Sequence, residues 1–192
     1  MRLEVGEFES PIGGITVAVC DGALRALSFS DKWASRRAAL ERQGATWSAH
    51  PDPGEIIGRL ARYFGGDLDA LSSIAVAPHG TPFQQRVWRA LRTVPVGHTV
   101  SYGELARSIG MPSAVRAVGA ANGANPIGIV IPCHRVIGAD GRLVGYGGGL
   151  ARKRWLLEHE GACPAGLRWA AAQSATNVAD RATEPSRLAQ RL

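Results

Sequence analysis

The chain has 192 residues and a formal net charge of +6, enough for one large domain or for two small ones with a shared core. Its hydrophobic and charged fractions, 45% and 20%, are those of a soluble globular protein. The opening residues, MRLEVGEFES, contain acids and no apolar stretch, so no signal peptide is predicted. No apolar run is long enough to cross a membrane. We therefore expect a cytoplasmic protein.

Basic residues are concentrated in the second half of the chain. Residues 1–78 contain eight basic and ten acidic residues, a net charge of −2, whereas residues 79–160 contain ten basic and four acidic ones, a net charge of +6. A basic half suggests an anionic partner, and nucleic acid is the first candidate.

The three cysteines, Cys20, Cys133 and Cys163, are widely spaced and form no C-x-x-C pair. Neither a zinc ribbon nor a disulfide framework is therefore predicted. Three free thiols fit a reducing compartment.

The first third of the chain predicts a sheet with two helices. Short apolar runs on both sides of Asp21-Gly22 indicate a β-hairpin. A helix is predicted from Asp31, its expected N-cap, to residue 44, and a second one over residues 55–66. Residues 72–82 predict a strand followed by a linker.

The next part of the chain predicts short helices. After an amphipathic helix near residues 81–95, Ser101 and Glu104 form a capping box and Gly110 ends that second helix. A third helix is expected to include Pro112 in its first turn and to end at Asn122-Gly123. Two short helices joined by a tight turn are typical of a helix-turn-helix.

The third helix has almost no bulky side chains. Small residues dominate residues 114–121, and Arg116 is the one long side chain. Such a helix can pack closely on a neighbour, or it can approach a nucleic-acid groove with one arginine probe. It has few groups that could discriminate base edges in a major groove, but it suits a backbone and a narrow groove.

The stretch IPCHRVIG places Cys133 between Pro132 and His134 in an apolar run that predicts a buried strand. A lone cysteine is most often a small packing residue, but a neighbouring histidine suggests a thiolate nucleophile and its base. Adjacent strand residues point to opposite faces, so a direct contact between the two side chains is not expected. A Cys-His hydrolase and a non-catalytic DNA-binding module remain alternatives.

A glycine-rich loop around Tyr146 and a helix ending at Glu160 and Gly161 follow. An acid at a helix C-terminus is disfavoured by the helix dipole, so Glu160 is expected to have a compensating partner. Arg154 and its basic neighbours are expected on a solvated face. Residues 165–192 predict a mostly disordered tail.

Four segments, IPCHRVIG, SYGELA, RAVGAANGANPIGIVIP and GYGGGLARKRWLLEHEG, closely resemble the O6-alkylguanine-DNA alkyltransferases, also called methylated-DNA–protein-cysteine methyltransferases. The resemblance covers residues 80–161. It implies an α+β fold with an N-terminal ribonuclease-H-like α/β domain at residues 1–79. A helical, winged-helix-like alkyltransferase domain with the helix-turn-helix would follow at residues 80–164, before the tail.

The resemblance also implies DNA repair by direct reversal. Cys133 would accept the alkyl group of O6-alkylguanine, and of O4-alkylthymine, in duplex DNA, irreversibly and once per molecule. His134 would deprotonate Cys133 through a bound water, Glu160 would orient His134, and Asn125 would brace the turn around the thiol.

Further roles follow from the same resemblance. The implied substrate-binding residues are Tyr102, Val136, Tyr146 and Gly147, with Tyr102 acting during base flipping. The implied DNA-binding residues are Arg116, which would fill the gap left in the base stack, Ser101, Ala117, Ala120 and Arg135. We expect no metal, no cofactor and no membrane partner, and a monomer that binds double-stranded DNA containing O6-alkylguanine.

Overall fold

The structure, a computed structural model, describes residues 1–162; the predicted tail and Cys163 lie outside the described residues. The first part of the chain consists of strands β1 Arg2–Ser10, β2 Gly13–Cys20, β3 Ala23–Phe29 and β4 Thr46–Ala49, and of helices α1 Ser30–Glu41 and α2 Ile56–Phe64. The second part consists of α3 Pro82–Leu91, β5 Val100–Ser101, α4 Tyr102–Ser108, α5 Val115–Gly123, β6 Val136–Ile137 and α6 Leu150–His159. In the described part, no helix is long and apolar enough to span a bilayer.

The four longer strands form one sheet in the order β3-β2-β1-β4. β1 and β3 are antiparallel to β2, and β4 is parallel to β1. The predicted hairpin between β2 and β3 is confirmed. Asp21 and Gly22 at its tip have φ values of 51° and 70°, which the two-residue turn needs and which these residue types tolerate.

Two expectations for the first part are wrong. α1 begins at Ser30 with Phe29 as its N-cap, and Asp31 lies in its first turn without capping it. No strand forms over residues 72–82; Val76 makes an isolated bridge to Leu24 of β3. A second isolated bridge joins Leu27 of β3 to Ile127. The segments around Val76 and Ile127 thus each contact the edge of β3 at one point and do not extend into strands.

The predicted helix pair is present as α4 and α5. The Ser101 hydroxyl accepts a hydrogen bond from the Glu104 amide, and the Glu104 carboxylate accepts one from the Ser101 amide at 2.7 Å, which confirms the capping box. Gly110 follows α4 with φ 71°. α5 begins one turn later than expected, with Ala114 as its N-cap, because residues 111–114 form a turn of their own.

A continuous hydrophobic core joins both parts of the chain. It contains Ile15 and Leu27 from the sheet, Leu60 from α2, Val87 from α3 and Leu156 from α6, all at most 2% exposed. α3 also packs on α5, where the Trp88 indole donates to the Ala121 carbonyl at 2.9 Å. The mixed α+β fold is confirmed, and its core places the segment with Cys133 between the sheet and the helices.

Candidate active site

Cys133 lies at the start of a 3-10 turn, Cys133–Arg135, and is 7% exposed. The expected strand before it is wrong. Residues 126–131 form turns, the Ile131 amide donates to the Ile127 carbonyl, and Ile129 has φ 66°. The argument that neighbouring strand residues point to opposite faces therefore does not apply to Cys133 and His134.

Asn125 holds the turn in place from its other end. Its side-chain amide donates to the Ile131 carbonyl at 2.8 Å, and its side-chain oxygen accepts from the Ile127 amide at 3.0 Å. Both bonds are buried, so they fix the backbone immediately before Cys133. The position of Asn125 is the one that the predicted bracing role requires.

His134 is fully buried and paired with Glu160. The distance from His134 Nε2 to Glu160 Oε1 is 3.0 Å. Burial lowers the pKa of His134 more than the Glu160 carboxylate raises it, so the imidazole is neutral at pH 7. With Nε2 donating to the carboxylate, Nδ1 is the acceptor nitrogen, and it is buried without a partner among the described residues.

The Glu160 carboxylate has two further donors. Arg135 contacts both of its oxygens at 2.8 Å, and the Tyr63 hydroxyl donates to Oε1 at 2.8 Å. Burial alone would raise the pKa of Glu160, but the hydrogen bonds from Arg135 and His134 outweigh burial and hold it well below its usual range. Glu160 therefore stays ionised and orients His134 without taking its proton.

Arg135, a predicted DNA contact, is engaged inside the protein by these bonds. Arg135 is 9% exposed, and Nη1 donates to the Val94 carbonyl. Its guanidinium is thus bonded to Glu160 and to the backbone, and its contact with DNA stays a prediction. Arg135 is the compensating partner that the position of Glu160 predicted.

Lys153 is a fully buried lysine that the sequence did not indicate. Its ammonium donates to the carbonyls of Val136 and Val144, both at 2.6 Å, and burial lowers its pKa to about 8. It lies three and four residues before the buried Leu156 and Leu157, so helical periodicity places it on the apolar face of α6. The expectation that all basic residues here are solvated is wrong for Lys153.

The Cys133 thiol is protonated at rest. Burial raises its pKa, and the Asn125 amide and the Lys153 charge oppose this increase without cancelling it. A thiol in this state is unreactive until a base removes its proton. His134 is the neutral base nearest in the chain.

A pocket of about 110 Å³ opens at Cys133. Four predicted site residues line it: Cys133, Asn125, Tyr146 and Gly147. Burial raises the pKa of Tyr146 well above its usual value, so its phenol stays neutral. A Cβ placed on Gly147 would meet nothing within 4 Å, so the pocket is open at this point.

Tyr102 and Val136 lie apart from the lining of that pocket. The Tyr102 ring is 3.7 Å from a Cβ placed on Gly119 of α5, and its hydroxyl is 3.6 Å from one placed on Gly145. Tyr102 thus lies between the helix pair and the glycine-rich loop. Val136 is fully buried, and its carbonyl already accepts from Lys153, with a second lone pair left.

The outer face of α5 is exposed. Arg116, Ala117 and Ala120 all lie on it, and Val118 on the opposite face is buried. Ser101 is half-buried and caps α4. This face presents small side chains and one arginine to solvent, as the sequence suggested.

In residues 1–162, no group of three or more His, Cys, Asp or Glu side chains could hold a metal ion.

A buried thiol that directly precedes a buried His134–Glu160 pair in one 3-10 turn, in a chain with an exposed short helix pair, fits a cysteine-dependent enzyme. Comparison with known proteins gives the particular family. Residues 82–162 match the family model described as 6-O-methylguanine DNA methyltransferase, DNA binding domain. The methylated-DNA–protein-cysteine methyltransferase of Salmonella typhimurium is 45% identical over 169 residues, which cover 84% of this chain and 97% of that protein. That of Mycobacterium tuberculosis is 49% identical over 156 residues, 80% of this chain and 89% of that protein.

Solved structures of the same family have a similar fold. The crystal structure of the Mycobacterium tuberculosis O6-methylguanine methyltransferase has a TM-score of 0.71 at 45% identity, with 85% of this chain and 96% of that one covered. A structure of Mycobacterium tuberculosis OGT in complex with DNA has a TM-score of 0.72 at 45% identity, with 83% and 93% covered. The chain belongs to the methylated-DNA–protein-cysteine methyltransferase family.

Proposed function

We propose that this protein repairs duplex DNA by direct reversal, with Cys133 accepting the alkyl group of O6-alkylguanine and, as a second substrate, of O4-alkylthymine. One observation carries the proposal: the buried Cys133 thiol directly precedes, in the same 3-10 turn, a buried and neutral His134 whose Nε2 pairs with an ionised Glu160. Membership of the family favours alkyl transfer over hydrolysis by a Cys-His pair.

The chemical step needs residues of this site and one water molecule. His134 Nδ1 takes the Cys133 proton through a bridging water, and Glu160 stabilises the resulting imidazolium. The thiolate sulfur attacks the alkyl carbon, an S–C bond forms, and the O6–C bond breaks with its electron pair on guanine. Burial raises the pKa of Tyr102, so its hydroxyl stays protonated and can donate a hydrogen bond to the leaving guanine. The thioether product has no good leaving group, so each molecule reacts once.

DNA reaches the site through the helix pair. A base inside a duplex cannot contact a buried thiol, so the target nucleotide must be rotated out, at a cost of a few kcal/mol. Arg116 on the exposed face of α5 would fill the gap in the base stack, and Ala117 and Ala120 would let the helix approach the groove. Ser101 would contact the backbone at the start of α4.

The finer description of the fold also stays a proposal. We infer a ribonuclease-H-like domain at residues 1–79 and a winged-helix-like alkyltransferase domain at residues 80–164. Cys20 and Cys133 are free thiols, which supports a reducing compartment such as the cytoplasm. We also infer a monomer, which size-exclusion chromatography with light scattering would check.

The proposal is tested by the intact mass of the protein after exposure to a duplex containing O6-methylguanine. One methyl group per molecule is expected, with peptide mapping placing it on Cys133. Cys133→Ala should abolish transfer and leave DNA binding, and Cys20→Ala, the matched control, should change neither. Transfer beyond one equivalent, or a label on another cysteine, contradicts the assignment.

A further inference from the structure

The pocket at Cys133 is shared between the two parts of the chain. Phe29, at the end of β3, lines it together with Lys32 and Arg36 from α1. Gly148 lies against Phe29 so closely that a Cβ there would be 2.5 Å from the ring. The first part of the chain therefore closes one side of the space that opens at the thiol.

The charges around this pocket are of one sign. Lys32 and Arg36 line it, and no carboxylate is among its lining residues in the described part of the chain. Within residues 1–162, neither cation has an acidic partner: Arg36 makes one hydrogen bond, to the Asn125 carbonyl at 3.3 Å. Arg37, the third basic residue of α1, does have such a partner in Glu41.

Arg36 also has an unused donor. Its Nε is buried and has no acceptor among the described residues, and burial lowers the pKa of Arg36. Because Nε is closed to solvent, a ligand would meet the outer guanidinium nitrogens, and a partly desolvated cation costs free energy until an anion compensates its charge. The arrangement therefore favours a ligand that brings a negative charge into the pocket.

We propose that Arg36, assisted by Lys32, makes this protein selective for O6-alkyl groups that carry a carboxylate, such as O6-carboxymethylguanine. This inference rests on the proposed function. The alkyl carbon must lie at Cys133 Sγ, and the substituent on that carbon then extends into the small pocket that Arg36 lines. The thiolate attacks the methylene carbon, the O6–C bond breaks with its electron pair on guanine, and the guanine anion takes up the proton that the thiol released. The carboxylate is unchanged in the product, an S-carboxymethyl cysteine.

A phosphate of the target strand is the other anion that could reach Arg36. The two sources differ in what they affect. A phosphate contact helps every lesion in duplex DNA equally, whereas a contact with the adduct helps the charged lesion alone.

The experiment compares two adducts of nearly the same shape, O6-carboxymethylguanine and its neutral amide, O6-carbamoylmethylguanine, in the same duplex. The rate constant for transfer to the full chain is measured for each by intact mass. Arg36→Gln should reduce the ratio of the two rate constants, charged over neutral, by about tenfold or more, the loss typical of one hydrogen bond to a charged group. Arg36→Lys, which keeps the charge, should retain most of the ratio.

Arg37→Gln is the matched control. Arg37 is the next residue on α1, is exposed, and is occupied by Glu41 and the Trp47 ring, so the ratio should not change. Because the ratio is taken within one variant, partial misfolding cancels. An unchanged ratio in Arg36→Gln with both rates reduced would assign Arg36 to a phosphate and overturn the inference. Absence of transfer from O6-methylguanine to the unaltered protein would overturn the proposed function itself.

Discussion

The Glu160 carboxylate contacts the side chains of His134, Arg135 and Tyr63. The sequence predicted only part of this arrangement. The position of Glu160 at a helix end predicts a partner, and its family role predicts His134. The contact with Tyr63 joins residues 97 positions apart and has no local signal. Arg135 adds to the basic charge of the sequence, but a count of charges cannot show that this one is buried against a carboxylate.

We expect Glu160→Gln to lower the free energy of unfolding by about 3 kcal/mol or more, because removal of one partner leaves the other charge buried and unpaired. The Arg135 side chain is 11% exposed and has no other acid beside it in the described part. Urea unfolding measures the loss. Glu41→Gln removes an exposed partner of Arg37 and should change stability little. Equal effects of both substitutions would contradict the role of the buried pair.

The same carboxylate predicts a dependence on pH. The pKa of Glu160 is lower in the folded protein than in the unfolded chain, where it is about 4.3. Its contribution to stability is therefore fully present above that value and is lost as the pH falls through the folded pKa. The difference in unfolding free energy between the protein and Glu160→Gln should shrink steadily below about pH 4. A difference that stays constant down to pH 3 would show that ionisation of Glu160 is irrelevant to stability.

The start of α4, with its full capping box, could be predicted from the sequence, and the segment that carries the nucleophile could not. Ser101 and Glu104 determine the start of α4 by a local bond pattern. The apolar run before Cys133 fits a buried strand and a buried turn equally well. The positive φ of Ile129 and the bonds of Asn125 result from tertiary packing, which periodicity cannot show.

Lys153 connects three elements, and its removal should loosen one of them. Its ammonium ties α6 to Val136 in β6 and to Val144 in the glycine-rich loop. In Lys153→Met, amide hydrogen exchange over residues 138–148 should become faster, since the loop loses a buried anchor. Arg107→Met on the exposed face of α4 is the control and should leave that loop unchanged. Unaltered exchange in Lys153→Met would mean that the glycine-rich loop is held by other contacts.

Arg116 of α5 should affect the rate of transfer from duplex DNA more than the rate of transfer from a free base. Arg116 is exposed, and its proposed contact is with the gap in the base stack. Arg116→Ala should therefore slow transfer from O6-methylguanine in a duplex much more than transfer from free O6-benzylguanine, which needs no base flipping. Rate constants from intact mass decide the matter. Equal losses on both substrates would place Arg116 in folding or in the chemical step.

For the whole molecule, the two parts of the chain depend on each other at the active site. The boundary predicted near residue 80 follows a change in composition, but the hydrophobic core crosses it. Phe29 lines the pocket at Cys133, and Tyr63 donates to Glu160. Sequence patterns describe each part separately, and such contacts appear only when the parts are packed together.

Burial and ion pairing reduce the number of basic side chains that can contact DNA phosphates. Of the ten basic residues in 79–160, Arg135 and Lys153 are buried, and Arg142 and Arg152 form ion pairs with Asp140 and Asp31. The cations of this half that can contact phosphates are therefore fewer than ten. The slope of log K against log salt for an undamaged duplex should then be shallower than the value of about −9 that ten phosphate contacts would give.

Fluorescence anisotropy over a salt series measures this slope. Arg116→Ala removes one exposed cation of the helix pair and should make the slope shallower by no more than about 1. Arg62→Ala, at an exposed residue of α2 paired with Asp67, should leave the slope unchanged. Binding should also vary less than about tenfold among undamaged sequences, because α5 presents almost no groups that discriminate bases. A slope of about −9 or steeper would mean that cations outside this half of the chain, or the buried and paired ones within it, also contact DNA.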